Sequence, residues 1–237
     1  MLDLKGNKIT YFGHSTFSLA TASGQTALID PWVMTNPMCP ESLKKVSRLD
    51  VVFLSHAHAD HLGDLLALAK QHQPQIVSIF ETGIWLVSKG FEKLNKSMGK
   101  GGTQKIGEFE VTMTHAFHSN CIEDGDKIVY GGEPAGLIIR MPGGLTVYHA
   151  GDTTVFSDMK LIGELYRPDI AMLPIGDHFT MGPREAAHAV RFLGVKHVVP
   201  MHYATFPVLT GTPEAFQAET KDIAGLEIHI MKPGATL

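Results

Sequence analysis

Short runs of β-favouring residues separated by glycine-marked turns open the chain. Residues 8–11, 16–21 and 26–29 are punctuated by Gly13-His14-Ser15 and Ser23-Gly24, which predicts a hairpin-rich β start. Asp30-Pro31-Trp32 closes the third run, a loop rich in Pro and Met follows at 34–40, and the apolar residues 51–54 read as a buried strand. Leucines at 62, 65, 66 and 68 fall at helical spacing and predict a helix over 62–71. Residues 76–80 read as the next buried strand, 82–94 as a helix, and 105–114 as a strand pair bent at Gly107. A further hairpin, 137–141 with 145–149, turns about Pro142-Gly143-Gly144. Helices at 157–165, 183–193 and 213–224 then alternate with strands at 170–173, 197–199 and 226–230. Pro183 and Pro213 fall in a first helical turn, where proline is tolerated. The stretch 119–136 carries no element signal and is too long for an ordinary connection, so it is a candidate active-site loop.

The two parts of the chain share a plan, β-hairpins first and then β and α alternating. Each hairpin block ends in an aspartate, at Leu28-Ile29-Asp30 and at Tyr148-His149-Ala150-Gly151-Asp152. An α/β architecture of two mixed sheets packed together with helices outside satisfies this pattern. The expected organisation is one domain over 1–237 with two similar halves, about 1–136 and 137–237.

Composition narrows the classes of function. With 237 residues, 44% of them hydrophobic, the chain can bury a sizeable core without disulfides. Its formal charge of −4 counts against a nucleic-acid or anionic-membrane binder, which would show a basic excess. The opening Met-Leu-Asp-Leu-Lys leads into no signal-like apolar run, and no stretch is long enough to span a bilayer. Cys39 and Cys121 have no CxxC partner and read as free thiols of a reducing compartment, so a cytoplasmic protein is expected.

The strongest chemical signal is Ser55-His56-Ala57-His58-Ala59-Asp60-His61, directly after the 51–54 strand. On an extended segment i and i+2 point the same way, so His56 and His58 can share one ion. Asp60 and His61 follow as the chain turns into a helix and can serve a second. Imidazole and carboxylate ligands suit Zn, Mn, Ni or Fe. Further ligands must come from strand ends elsewhere: His118 in Ala116-Phe117-His118-Ser119, Asp152 in the second aspartate block, and His202 after the 197–199 strand.

These residues resemble the metallo-β-lactamase superfamily, whose hallmark is HxHxDH followed by a His, an Asp and a final His. Gly13-His14-Ser15-Thr16-Phe17, Ile29-Asp30-Pro31-Trp32, 131–136 with 148–153, and 174–182 resemble one branch. That branch holds metal-dependent hydrolases related to ascorbate-6-phosphate lactonase and to a phospholipase D acting on N-acylethanolamine phospholipids. The resemblance implies a four-layer αβ/βα sandwich with the site at one edge between the sheets. It assigns His56, His58 and His118 to a first metal, Asp60, His61 and His202 to a second, and Asp152 to a bridging position.

His115 competes with His118 three residues away; the family pattern Ala-x-His-Ser favours His118 as ligand and leaves His115 to orient a ligand from behind. His14 and His178, in glycine-marked turns, are candidates for contact with substrate. Asp30 is read as a turn or supporting residue beneath the metals, and Asp177 as a hydrogen-bond partner that sets the His178 tautomer. His149 is expected to be a hydrogen-bonded core histidine, and His72, His188, His197 and His229 structural or surface residues. Lys89, Lys93, Lys96, Lys100 and Lys105 read as a solvated helix face running into a loop.

The expected chemistry is hydrolysis of a lactone, ester or phosphodiester of a small polar metabolite by a hydroxide bridging two divalent ions, Zn or Mn ahead of Ni. Asp60 would orient the nucleophile and His178 would serve the oxyanion or leaving group. The alternatives are a metal-dependent nuclease or phosphodiesterase and, further off, an iron-dependent oxidoreductase. The oxidoreductase is disfavoured because His58 stands where dioxygen-handling relatives carry Glu. A small-molecule substrate, no nucleic acid and no membrane are expected, and the exposed loops leave room for a homo-oligomeric interface.

Overall fold

The computed structural model describes residues 2–237. β1 (Lys8–Gly13), β2 (Thr16–Ala20) and β3 (Thr26–Ile29) form an antiparallel meander. After α1 (Glu41–Lys44), β4 (Val51–Phe53) joins β3 in parallel. α2 (Ala59–Leu62) and α3 (Leu65–His72) cross over to β5 (Gln75–Val77), and α4 (Phe80–Ser88) follows. The result is a five-stranded mixed sheet in the order β1-β2-β3-β4-β5. The chain end returns to it: Ile9 N–H donates to Leu237 O at 3.1 Å and Tyr11 N–H to Ala235 O at 3.0 Å.

The second sheet begins with the hairpin β6 (Thr103–Ile106) and β7 (Phe109–His115). A small separate hairpin, β8 (Cys121–Asp124) and β9 (Lys127–Tyr130), stands between these strands and β10 (Ala135–Arg140). β11 (Thr146–His149), α5 (Met159–Tyr166), β12 (Ile170–Pro174), α6 (Pro183–Leu193), β13 (His197–Met201), α7 (Pro213–Thr220) and β14 (Glu227–Ile228) complete it. Its seven strands run β14-β13-β12-β11-β10-β7-β6, parallel from β11 to β14 and antiparallel on the β10 side.

Period-two alternation builds the layers. Ala27 and Ile29 of β3, Val51 and Phe53 of β4, Leu137 and Ile139 of β10, and Ile170 and Met172 of β12 meet in one core between the sheets. The intervening residues face outward: Leu28 and Val52 pack with Leu65, Leu68 and Leu86 of α3 and α4. Ile138, Ala171 and Val198 pack with Ile162, Val190 and Phe216 of α5, α6 and α7. Helix, sheet, sheet and helix therefore form four layers, the αβ/βα sandwich of the metallo-β-lactamase fold.

Several boundaries differ from the sequence reading; the helix expected over 82–94 ends at Ser88, that over 213–224 ends at Thr220, and the last strand covers Glu227–Ile228 alone. The sheets do not divide at 136, because Glu110–His115 pairs antiparallel with Ala135–Arg140 and draws β6 and β7 into the second sheet. The 119–136 stretch is not irregular; Cys121 pairs with Tyr130 and Asp124 with Lys127 around a two-residue Gly125-Asp126 turn, Gly125 at φ +63°. The leucine helix is broken at Gly63, whose φ of +45° no β-carbon could join, because Trp32 packs against it. The strand expected over 76–80 ends at Val77, and Phe80 already starts α4.

Candidate metal centre

Each chemically active side chain lies in a connection leaving the C-terminal end of a strand, where α/β architectures collect their chemistry. His14 follows β1, Asp30 follows β3, residues 55–61 follow β4, His118 follows β7, Asp152 follows β11 and His202 follows β13. These ends converge from both sheets at one edge of the sandwich. Close approach of the backbones needs Gly176 after β12, where a methyl group would overlap the His202 carbonyl oxygen. His14, Asp30 and His202 hold positive φ values of 58°, 48° and 55°. Such conformations cost of order 1 kcal/mol or more for a non-glycine residue and persist where the surroundings over-determine them. Here His202 N–H donates to His14 O at 2.9 Å, and Tyr11 Oη–H donates to the same carbonyl at 3.0 Å.

A first set gathers His56, His58 and His118. His58 Nδ1 lies 3.1 Å from His56 Nε2 and 3.3 Å from His118 Nε2. A tetrahedral ion with bonds of about 2.0–2.1 Å needs ligand atoms about 3.3 Å apart, which both contacts to His58 match, and the three side chains offer ligand atoms within 4.8 Å of one another. A second set gathers His14, Asp60, His61 and His202. Asp152 Oδ2 stands between the sets, 2.9 Å from His202 Nε2, 3.2 Å from His61 Nε2 and 3.8 Å from His118 Nε2.

Several of these atoms are buried without a hydrogen bond: His61 Nε2, Asp152 Oδ1 and both ring nitrogens of His202. A buried polar atom left unpaired costs roughly 1–3 kcal/mol, and cations bound among these ligands would remove that cost. The charge balance points the same way. Burial alone would lower the His61 pKa, but the carboxylates of Asp152, Asp30 and Asp60 outweigh it and raise it well above 6.5. Burial would raise Asp152, yet His202 and His61 hold it well below the usual carboxylate range. Three carboxylates surround His61, the pocket above carries no lysine or arginine, and the donor set fits divalent cations.

Asp30, wholly buried, supports one ligand of each set. His61 Nδ1–H donates to its Oδ2 at 2.7 Å, and Ser55 Oγ–H donates to the same oxygen at 2.6 Å. Ser55 Oγ in turn accepts from His56 Nδ1–H at 3.0 Å. These bonds hold the Nδ1 proton of both rings and turn His56 Nε2 and His61 Nε2 toward the centre, where a bound cation would take the place of the His61 Nε2 proton.

His14 departs from the expected contact with substrate, because it has no exposed surface. Burial, then the neighbouring His202, pushes its pKa down to about 4, so the ring is neutral. Its Nε2–H donates to Asp60 Oδ2 at 3.0 Å, and its Nδ1 accepts from Thr205 Oγ–H at 2.9 Å. The ring therefore orients Asp60. Burial raises the Asp60 carboxyl, but His61 and the His14 hydrogen bond prevail and keep it ionised.

Of the two competing histidines, His118 reaches the cluster and His115 does not. His115 Nδ1 lies 3.0 Å from Lys100 Nζ and the ring packs on Phe117 and Phe156, so it orients no ligand. Asp177 accepts from the His178 backbone N–H at 2.7 Å, not from its ring, and so sets no tautomer. His178 itself is exposed, with its ring edge-on to Phe179 at 4.4 Å. His149 is fully buried, its Nε2–H donating to Ser15 O at 2.9 Å. His197 is not isolated: its Nδ1 lies 3.2 Å from His229 Nε2.

Sequence reasoning missed Asn120, which accepts from Ala57 N–H at 2.8 Å and donates to Gly131 O at 2.8 Å. It ties the HxH loop to the base of the β8–β9 hairpin. Thr205 and the wall residues Phe206 and Val208 were missed too. They follow His202 in a loop with no periodic signal.

This fold and this convergence of histidines and aspartates define a metallohydrolase class, and the chain belongs to the β-lactamase superfamily, whose domain signature matches residues 25–203. Within it the chain is 52% identical to a UPF0173 metal-dependent hydrolase of Koribacter versatilis, over 99% of both chains. It is also 52% identical to one of Rubrobacter xylanophilus, over 99% of this chain and 97% of the relative. A metallo hydrolase of the archaeon Ignicoccus hospitalis shares the fold with a TM-score of 0.85 at 38% identity, covering 98% of this chain and 97% of that one. The protein is thus a metal-dependent hydrolase of this family.

Proposed function

We propose that the chain holds two divalent cations, zinc or manganese ahead of nickel, and hydrolyses a lactone, ester or phosphodiester bond of a small molecule. The observation that supports this reading most directly is the pair of ligand sets joined at Asp152 Oδ2, with unpaired buried nitrogens facing them. His56, His58 and His118 would hold one cation, Asp60, His61 and His202 the other, with Asp152 shared. When bound, such cations would supply a water of lowered pKa, from 15.7 toward about 7, and a Lewis acid for the carbonyl or phosphoryl oxygen.

The chain's own groups do the rest. Asp60, ionised and fixed by His14, orients a water and accepts its proton. The protonated Asp60 then returns it to the leaving group. His178, exposed beside the cleft-lining Phe179, is a second donor candidate, and His178→Gln separates the two: a lowered kcat with unchanged metal content assigns it that role. The carboxylates and free imidazole nitrogens need no serine or cysteine nucleophile. The cleft over the centre carries no lysine or arginine to grip a polyanion, which supports the hydrolase of a small molecule over the nuclease. The free thiols of Cys39 and Cys121 fit a cytoplasmic setting.

The test is metal content per chain by elemental analysis, with hydrolysis of a lactone and a phosphodiester measured alongside. About two ions, activity lost on chelation and regained on refilling, are expected. His118→Gln should lower metal content and His115→Gln should not. A chain that takes up no metal overturns the reading, and iron with oxygen consumption replaces it with the redox one.

A further inference from the structure

The cleft above the metal ligands encloses about 860 Å³, near the upper end of what small-molecule sites span. Beyond the ligands its wall is mostly apolar, with Trp32, Cys121, Phe179, Phe206, Pro207 and Val208 outnumbering the polar Thr35, Ser119 and Glu123. The Trp32 and Phe206 rings stack with centroids 6.0 Å apart and 22° between planes. Phe179 and Val208 are 52% and 44% exposed, although both are large apolar side chains at a functional site. Apolar surface left open around a polar centre marks a place where a ligand covers it.

The charges exclude one kind of occupant. Apart from the metal-ligating aspartates, the charged group in the lining is Glu123, an acid. Recognition of a phosphate or carboxylate away from the reacting centre calls for Arg or Lys, and the cleft has neither. Lys89 and Lys100 are engaged by Asp124 and Glu133, each at 2.7 Å. Arg184 lies in a different hollow, among Asp177, Glu185 and Glu219. An anion remote from the metals would meet the Glu123 carboxylate with no counter-charge.

We infer that the part of the substrate flanking the scissile bond is uncharged and apolar. On the hydrolase reading above, on which this rests, the site takes an alkyl- or aryl-bearing ester or lactone, not a phosphorylated or otherwise anionic metabolite. The step is plain hydrolysis. Water adds to the acyl carbon, the C–O bond breaks, the water's proton passes through Asp60 to the departing alkoxide, and a carboxylic acid and an alcohol result.

The experiment is calorimetric binding of straight-chain hydroxamates, from acetyl to octanoyl, to the zinc-loaded protein. A fully buried methylene is worth about fourfold in affinity, and a rise approaching that per carbon is expected along the series. An octanoyl analogue ending in phosphate should lose most of the gain. Phe206→Ser and Val208→Ser should each lower the octanoyl-to-acetyl affinity ratio severalfold. Affinity that is flat with chain length, tighter binding of the phosphate-ended chain, or no binding by a fully metal-loaded protein overturns the inference. The uncharged fluorophore N-phenyl-1-naphthylamine, added to metal-free protein, gives a second readout that Phe206→Ser should weaken; an unchanged signal also counts against the apolar wall. Binding that rises with chain length in a protein that hydrolyses no ester, lactone or phosphodiester upholds the apolar cleft and overturns the hydrolase reading instead.

Discussion

Asp30 makes the centre depend on a residue outside both ligand sets. Its Oδ2 takes hydrogen bonds from His61 and from Ser55, which itself receives His56, so one carboxylate orders a ligand of each set. Asp30→Asn keeps the shape and removes the charge. A 10–100-fold loss of metal affinity is expected, measured by competition with a chelator, because the tautomers of both histidines lose their anchor. His149 bears on stability instead. Burial lowers its pKa below 6.5, so the unfolded chain takes up a proton there before the folded one does. Its contribution is whole above pH 6.5 and is lost as pH falls below that value. Urea unfolding of metal-free protein between pH 8 and pH 5 should show a shallower decline for His149→Asn than for the parent chain. At this scale the HxHxDH run was legible because its spacing is its chemistry. Asn120 and Thr205 were not, since each reaches its partner across a long stretch of chain: 63 residues from Asn120 to Ala57 and 191 from Thr205 to His14.

Elements with a strong local pattern read well. α6 occupies Pro183–Leu193 as expected from its proline start and its Gly194 end at φ 65°. β3 likewise matches its expected bounds. The β8–β9 hairpin did not read, because its strands are four residues each and half-exposed, leaving only Gly125-Asp126 to signal it. Which strands share a sheet was not legible either: β7 joins β10 across the intervening hairpin, a pairing no local pattern encodes. The connection after β12 carries a specific liability. Gly176→Ala must push the His202 backbone aside, and His202 Nε2 stands 2.9 Å from Asp152 Oδ2 and 3.9 Å from Asp60 Oδ2. At least a tenfold weakening of the second cation and a lower Tm are expected, read by metal titration and thermal melting; unchanged affinity would show that the loop yields without moving the ligand.

Across the whole molecule, metal and fold are coupled. Ligands that bind only the folded state stabilise it by about 4 kcal/mol at a thousandfold excess over Kd. Stripping the ions should therefore lower Tm by several degrees in a protein of this size, and restoring zinc or manganese should return it. A melt indifferent to chelation would disconnect the centre from folding.

The strand ends that supply the centre come from different sheets. His56, His58, Asp60 and His61 leave the first sheet, whereas His118, Asp152 and His202 leave the second, and neither sheet carries a full set. Ions held as proposed would therefore rivet the two leaves together as well as serve the chemistry. Residues 99–102, where a side chain at Gly99 or Gly101 would meet open space, carry the chain from one leaf to the other. A chain cut there is held by the buried seam between the leaves, by the tail returning to β1, and by the metals. Of these fasteners, a chelator removes the metals alone. Such a nicked protein should travel as one particle on a sizing column when loaded, and come apart at a lower denaturant concentration once the ions are withdrawn.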